Sequence, residues 1–339
     1  MDRPEPLRMG IVGAGVMGQH YARALREYPR AALVAVCDLD VERAGELAEG
    51  DAAAFASVGE MLRLADIDAA VIATPDFAHR EPVLACLQAG KAVLCEKPLA
   101  TSEDDCATMV EAVHHAGRPF MVNYGNRHRP AALKVKEGIA QGRLGRPEYV
   151  YVRLNERLSK TLTIRWLGRT SPVWFLMSHC ADLVSWLLGD TFASVFARRG
   201  DGAVARLAPG VPDVCVCLAT MRSGCQAVLE TAWNLPDGFA PNIDFAVQVI
   251  GDGGVVQADL YPHDLNVYDA RAESVDHTFG VSGPRGFAIG WWQESVRYFV
   301  DGVLDGRELR PSVDEGAATS RALLAVDRSL ASGGVESVA

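Results

Sequence analysis

The sequence predicts a two-domain protein of class α/β plus α+β. A doubly wound parallel sheet is expected first, followed by a domain built on a large, mostly antiparallel open sheet. Three observations lead there. Strand and helix patterns alternate strictly from Arg8 to Tyr124. A glycine-rich turn, GAGVMG, joins the first strand to the first helix. After Tyr124 the alternation stops, and strand patterns separated by short turn signals dominate. A chain of 339 residues is too long for one core. The expected division is a nucleotide-binding domain at 1–123, a substrate-binding and oligomerisation domain at 124–312, and a C-terminal helix and tail at 313–339.

The first strand and helix lie in RMGIVGAGVMGQHYARALREYP. The apolar strand ends at Gly13, and helical spacing begins near Val16. Gly13, Gly15 and Gly18 form G-x-G-x-x-G: one glycine for the tight turn, one for close approach to a pyrophosphate, one for packing helix on strand. Val16 and Met17 open the helix, whose N-terminus offers unpaired N–H groups to phosphate. The second strand, ALVAVCDLD, carries Asp38 twenty residues after Gly18. A carboxylate there accepts hydrogen bonds from a ribose and repels a 2′-phosphate, so NAD is expected over NADP. Asp40 suits the N-cap of the next helix, and Arg43 is the residue that would blur this preference.

The βα units continue through DAAVIATP, HREPVLACLQAG, KAVLCEKP, SEDDCATMVEAVHHAG and PFMVNY, a Rossmann arrangement. Ligands of such sheets lie outside the carboxyl ends of the strands. Thr74-Pro75, His79 and Glu96-Lys97-Pro98 fall at or near such ends.

Composition excludes several partners. The net charge of −10 argues against nucleic acid and an anionic membrane. No apolar run is long enough to span a bilayer, and the N-terminus has no signal-peptide pattern, so a cytoplasmic protein is expected. Eight cysteines without a CxxC pair read as buried free thiols, and the histidines show no metal-ligand spacing.

Between the domains, Asn126 and Arg127 are candidates for substrate or cofactor contact, whereas Tyr124 suits packing. The second domain should hold strands EYVYVRLNERL, ASVFARRG, DVCVCLATMR, CQAVLETAWNL, FAVQVIG, GVVQADL and LNVYDA, with hairpin turns at MRSGC and GDGG. A homodimer or homotetramer through this sheet is expected. In WFLMSHCADLVSWLLG a helix from Ser178 sets His179, Asp182, Leu183 and Trp186 on one face. The preceding loop, 159–172, offers Lys160, Arg165, Trp166 and Arg169 either to a sugar or carboxylate or simply to solvent.

ATPDFAH, AGKAVLCEKPLA, YGNRHRPAALKVKEGIAQGRLGRPEYV and HCADLVSWLLG, in this order and spacing after GAGVMG, resemble the glucose-fructose oxidoreductase / inositol dehydrogenase / rhizopine catabolism family. The resemblance implies reversible hydride transfer between a nicotinamide cofactor and a carbinol of a sugar, sugar acid, cyclitol or glycoside, without a metal. It places Lys97 at the active-site lysine and His179 at the catalytic histidine, with Glu96 and Pro98 locating the lysine. His179 then takes the hydroxyl proton while Lys97 binds the substrate oxygen; which is the proximal base stays open. One departure stands out. Phe175 occupies the family's usual aspartate position, and Arg169-Thr170-Ser171 its glycine triplet. This departure motivates one alternative, an NAD-binding sensor without catalysis; a second, bond cleavage by transient oxidation and elimination, has no motif of its own.

Overall fold

The computed structural model describes residues 5–239, 243–261, 266–267, 273–274, 281–282 and 288–338. The chain divides into two compact units. The first takes residues up to Gly125 and a later segment ending at Ala317; the second runs from Asn126 and resumes at Ala318. A division drawn along the sequence at 123 and 312 lacks this return of the chain to the first unit.

In the first unit β1 (Leu7–Val12), α1 (Val16–Arg26), β2 (Ala31–Cys37), α2 (Val41–Leu47), β3 (Ala53–Phe55), α3 (Val58–Leu64), β4 (Ala69–Ile72), α4 (Arg80–Gln88), β5 (Ala92–Glu96), α5 (Glu103–Ala116) and β6 (Phe120–Asn123) follow one another. The six strands are parallel in the order β3-β2-β1-β4-β5-β6. The order reverses between β1 and β4, where such sheets open a ligand crevice. Strands β4, β5 and β6 are buried along their whole length, which is why they read as unbroken apolar runs. Helix α5 shows how local chemistry sets the ends. Ser102 accepts from the Asp105 N–H at 3.1 Å, three acidic residues fill the first turn, and Gly117 ends the helix with φ +57°.

The second unit contains α6 (Pro130–Ala140), β7 (Pro147–Arg157), α7 (Leu158–Thr161), α8 (Ser178–Leu188), β8 (Phe192–Gly200), α9 (Ala203–Leu207), β9 (Val214–Met221), β10 (Gln226–Leu235), β11 (Ile243–Gly251) and β12 (Gly254–Asp259). The short pairs β13 (Asn266–Val267) with β14 (Glu273–Ser274) and β15 (Val281–Ser282) with β16 (Ala288–Ile289) follow. Then come α10 (Trp291–Asp305), packed in the first unit's core, α11 (Val313–Ser332) and β17 (Val335–Ser337). Apart from Asn266 and Val267, the expected strand LNVYDA lies outside the described residues.

The large sheet has the order β12-β11-β7-β10-β9-β8-β17, antiparallel except for the parallel β7–β10 pair. One face packs on α8 through Cys180, Leu183, Val184 and Leu187. Cys215 and Cys217 point to this covered face, and Val216 and Leu218 to the other. All eight cysteines are free and buried. The tail expected after the last helix is an edge strand, β17, paired with β8.

Helix α11 carries a buried carboxyl. Asp327 accepts from the Trp174 indole N–H at 2.8 Å, and burial pushes its pKa up to about 6. A carboxyl whose folded pKa exceeds its unfolded value stabilises the fold while protonated, and that contribution is lost as pH rises through the folded pKa. Asp327→Asn keeps an acceptor for Trp174 without the charge. It should therefore raise stability by about 1–3 kcal/mol at pH 8 and change it little near pH 4, as read by denaturant midpoints at the two pH values.

Candidate functional site

The glycine turn follows β1. Gly13 has φ +104°, donates its N–H to the Cys37 carbonyl at 2.8 Å, and a Cβ there would stand 2.6 Å from the Ala73 carbonyl oxygen. A Cβ on Gly18 would stand 2.0 Å from the Gly13 oxygen. Both glycines are thus required by close packing of strand and helix. Gly15 differs. No protein atom lies within 4 Å of its would-be Cβ, although it is the N-cap of α1 and no side chain caps it. Open space over an uncapped helix N-terminus fits a pyrophosphate. Val16 is exposed beside it, and Met17 is half-buried against the core. Gly15→Ala should accordingly leave the melting temperature within about 1 °C, since nothing is displaced, but weaken NAD at least tenfold by calorimetric titration.

Asp38 directly follows β2. Its carboxylate accepts from the Ala14 N–H at 2.7 Å and the Asp40 N–H at 2.9 Å, which fixes it against the glycine turn. Asp40 caps α2 through the Arg43 N–H. The Arg43 guanidinium lies 3.0 Å from Asp40 and 3.7 Å from Asp38. Held by two carboxylates, it does not present an isolated positive charge to a 2′-phosphate, and the arrangement suits NAD.

At the ends of β4 and β5 the chain is tied from below. Thr74 and Pro75 start a single 3₁₀ turn, Asp76–Ala78, with the Thr74 hydroxyl donating to the Ala78 carbonyl at 3.0 Å. His79 is buried, with Nδ1 2.9 Å from the Pro98 carbonyl and Nε2 3.1 Å from the Thr74 carbonyl. Burial lowers its pKa, and a neutral ring has one N–H, so it donates to one of these carbonyls while packing between the two strand-end loops. Its place in an expected cofactor set is therefore indirect. Glu96 is buried too. It accepts from the Tyr21 hydroxyl at 2.7 Å and from the Lys97 N–H at 3.1 Å, and Asn123 reaches both Tyr21 and Glu96. Burial, then Glu96, raises the Tyr21 pKa well above its usual value, so the phenol stays a donor. Lys97, joined to Pro98 by a cis bond and half-buried, leaves the sheet directly above this network. Tyr21 and Asn123 escaped the sequence reading. Asn123 ends a buried strand, the same signal that picked out Lys97.

At the start of the second unit, Asn126 and Arg127 of the turn Gly125–His128 each reach α8. Asn126 Nδ2 lies 3.0 Å from His179 Nδ1. Arg127 grips Asp182 with Nε at 3.0 Å and Nη2 at 2.6 Å, both side chains buried. Asp182 thus pairs with Arg127. Arg127, expected as a substrate or cofactor contact, is committed to this pair. Arg129, which the sequence reading passed over, donates from Nε to Asn126 Oδ1 at 2.8 Å. Burial and Arg127 push His128 down to about 4, so it adds no charge at neutral pH.

Immediately before α8 the backbone widens into a π-helical turn, Val173–Met177, a form that recurs at functional sites. Phe175 sits in this turn, edge-on to Trp233 at 5.8 Å between ring centres. Where the family pattern has an aspartate, this chain has an aromatic ring against another. In the preceding loop Arg165 is exposed and Trp166 half-buried.

Comparison with known proteins shows the family. Residues 7–124 match the "Oxidoreductase family, NAD-binding Rossmann fold" and residues 132–257 the "GFO/IDH/MocA C-terminal domain". Inositol 2-dehydrogenase of Rubrobacter xylanophilus is 34% identical over 75% of this chain and 71% of its own. Inositol 2-dehydrogenase 3 of Saccharopolyspora erythraea is 30% identical over 98% of this chain and 96% of its own. The crystal structure of GenD2 from gentamicin A biosynthesis, in complex with NAD, superposes with a TM-score of 0.83 at 25% identity, covering 100% of this chain and 98% of that one. Glycine turn, Asp38 after β2, EKP segment and both domain matches converge: the chain belongs to the Gfo/Idh/MocA family of NAD-dependent oxidoreductases, dehydrogenases that act on CH–OH groups.

Proposed function

We propose that this chain oxidises a ring carbinol of an inositol or a closely related cyclitol, and reduces the corresponding ketone. The observation that carries this reading is the near full-length match to inositol 2-dehydrogenase 3, in a chain that keeps both Lys97 and His179 of the family pattern. Bound NAD supplies the hydride acceptor. Gly13, Gly15, Val16, Met17, Gly18, Asp38, Thr74, Pro75 and Glu96 form or support its binding surface, with His79 holding two of the loops. Lys97 and His179 handle the substrate oxygen and its proton, Asn126 serves the substrate through His179, and Arg165, Trp166 and Phe175 contribute to substrate recognition. Phe175 in place of a carboxylate offers apolar contact to the C–H face of a ring, so the preferred cyclitol should differ from that of relatives bearing the aspartate.

We further propose a cytoplasmic homodimer or homotetramer. Eight buried free thiols suit a reducing compartment. The outer face of the large sheet exposes Val216, Leu218, Ile250 and Val255, an apolar surface suited to a second copy. Sedimentation of the purified protein reads the assembly directly.

The test of the activity is NADH absorbance with a panel of inositol isomers, aldoses, sugar acids and glycosides, with products weighed by mass spectrometry. Reduction with an inositol isomer, giving a product two hydrogens lighter, supports the reading. Altered skeletal masses without NADH would replace it with elimination chemistry. Binding of NAD without any reaction across the panel would favour the sensor.

A further inference from the structure

We propose that Arg129, acting through Asn126, fixes which ring nitrogen of His179 carries the proton and so makes neutral His179 a hydrogen-bond donor at Nε2. Arginine has only donors, so Arg129 Nε at 2.8 Å must face the oxygen of the Asn126 amide. The other end of that amide, NH₂, then faces His179 Nδ1 at 3.0 Å. An NH₂ group can only donate, so Nδ1 must hold the lone pair, and the proton of a neutral ring sits on Nε2. The amide has no room to choose. Arg129 is itself pinned by the Leu260 carbonyl and by the rings of Phe245 and Tyr261, 5.5 and 5.1 Å from its guanidinium carbon. Asn126 and Arg129 are both buried. With Phe175 where the family pattern has an aspartate, an amide stands against the ring.

The consequence rests on the dehydrogenase reading above. A nitrogen that already bears a proton cannot take another from a hydroxyl. Neutral His179 therefore donates a hydrogen bond from Nε2 to the reacting oxygen and keeps its proton. With bound NAD as hydride acceptor, oxidation would send the O–H proton to the neutral amine of Lys97 as the C–H hydride leaves and the C=O double bond forms. Reduction reverses each transfer, with the Lys97 ammonium as proton source. Asn126 and Arg129 are positioning residues in this scheme.

The test is ¹⁵N spectroscopy of histidine-labelled, NAD-bound full-length protein, with His179 assigned by its loss in His179→Gln. At high pH, where the ring is neutral, the lone-pair shift should fall on Nδ1. In Asn126→Asp the carboxylate accepts from Nδ1–H, and the lone-pair signal should move to Nε2. Arg129→Met frees the amide to turn and should give both tautomers. A wild-type ring protonated on Nδ1, or an Asn126→Asp ring with unchanged tautomer, overturns the proposal. With an accepted cyclitol, Asn126→Asp should lower kcat by about 10²-fold with KM little changed, as for loss of one oxyanion donor. Failure of every cyclitol to react would reject the proposed activity and leave the tautomer result standing.

Discussion

Lys97→Met should lower substrate-dependent NADH formation by about 10²–10⁴-fold, the range typical of removing a proton-transfer group. NAD should still bind within a few-fold of the parent protein. The site is built so that this substitution takes away a charge and little else. Methionine approximates the aliphatic stem of lysine, which packs while the ammonium reaches out. The backbone at Lys97 is held independently of the side chain, by its N–H on Glu96 and by Tyr21 and Asn123 beneath. Steady-state absorbance gives the rate, and calorimetric titration with NAD gives the affinity. Turnover at the parental rate with NAD bound would remove Lys97 from proton handling. Loss of NAD binding with loss of rate would instead make the residue part of the cofactor site.

The parts of this protein legible in the sequence are those governed by near neighbours. A glycine turn, a strand end and a helix face each depend on a few consecutive residues. So the G-x-G-x-x-G turn, Asp38 after β2, and the helix from Ser178 carrying His179 all stand where the residues indicate. Strand β3 is three residues long, too short for a period to show. The edge strand β17 is equally brief, and its place is set by pairing with β8, over a hundred residues away in the chain. The connections that orient the candidate residues are longer-range still. Tyr21 meets Glu96 across 75 positions, and Asn126 meets His179 across 53. Nothing local distinguishes a tyrosine that will anchor a glutamate from one that simply fills a core. The π-turn at Val173–Met177 is hidden because VWFLM is apolar at every position, so no spacing distinguishes a wide turn from an α-helical one.

Arg127 shows why the distinction between contact and support matters for this chain, and its pair with Asp182 should be the costliest to break. Both side chains are buried, 7% and 1% exposed, and the guanidinium meets the carboxylate through two hydrogen bonds. Asp182→Asn is nearly isosteric, yet it leaves the arginine charge buried opposite a neutral amide. Removing one member of such a pair costs about 3–5 kcal/mol. Urea denaturation should register a loss of that size. Replacing both, as Arg127→Met with Asp182→Leu, removes the charges together and should recover most of the stability, because the attraction within a buried pair largely offsets its desolvation. If the double variant were as unstable as Asp182→Asn, packing around α8 rather than an unpaired charge would be the cause. If Asp182→Asn cost under about 1 kcal/mol, the pair would be behaving as exposed ones do, which its burial contradicts. The double variant also separates two reasons for having the pair. Arg127 neighbours Asn126, and Asp182 follows His179 by one helical turn, so one short segment holds α8 at two successive points. An apolar contact restores energy without fixing direction. A stable double variant with lowered kcat would therefore show that the ion pair serves to aim His179 more than to hold the fold.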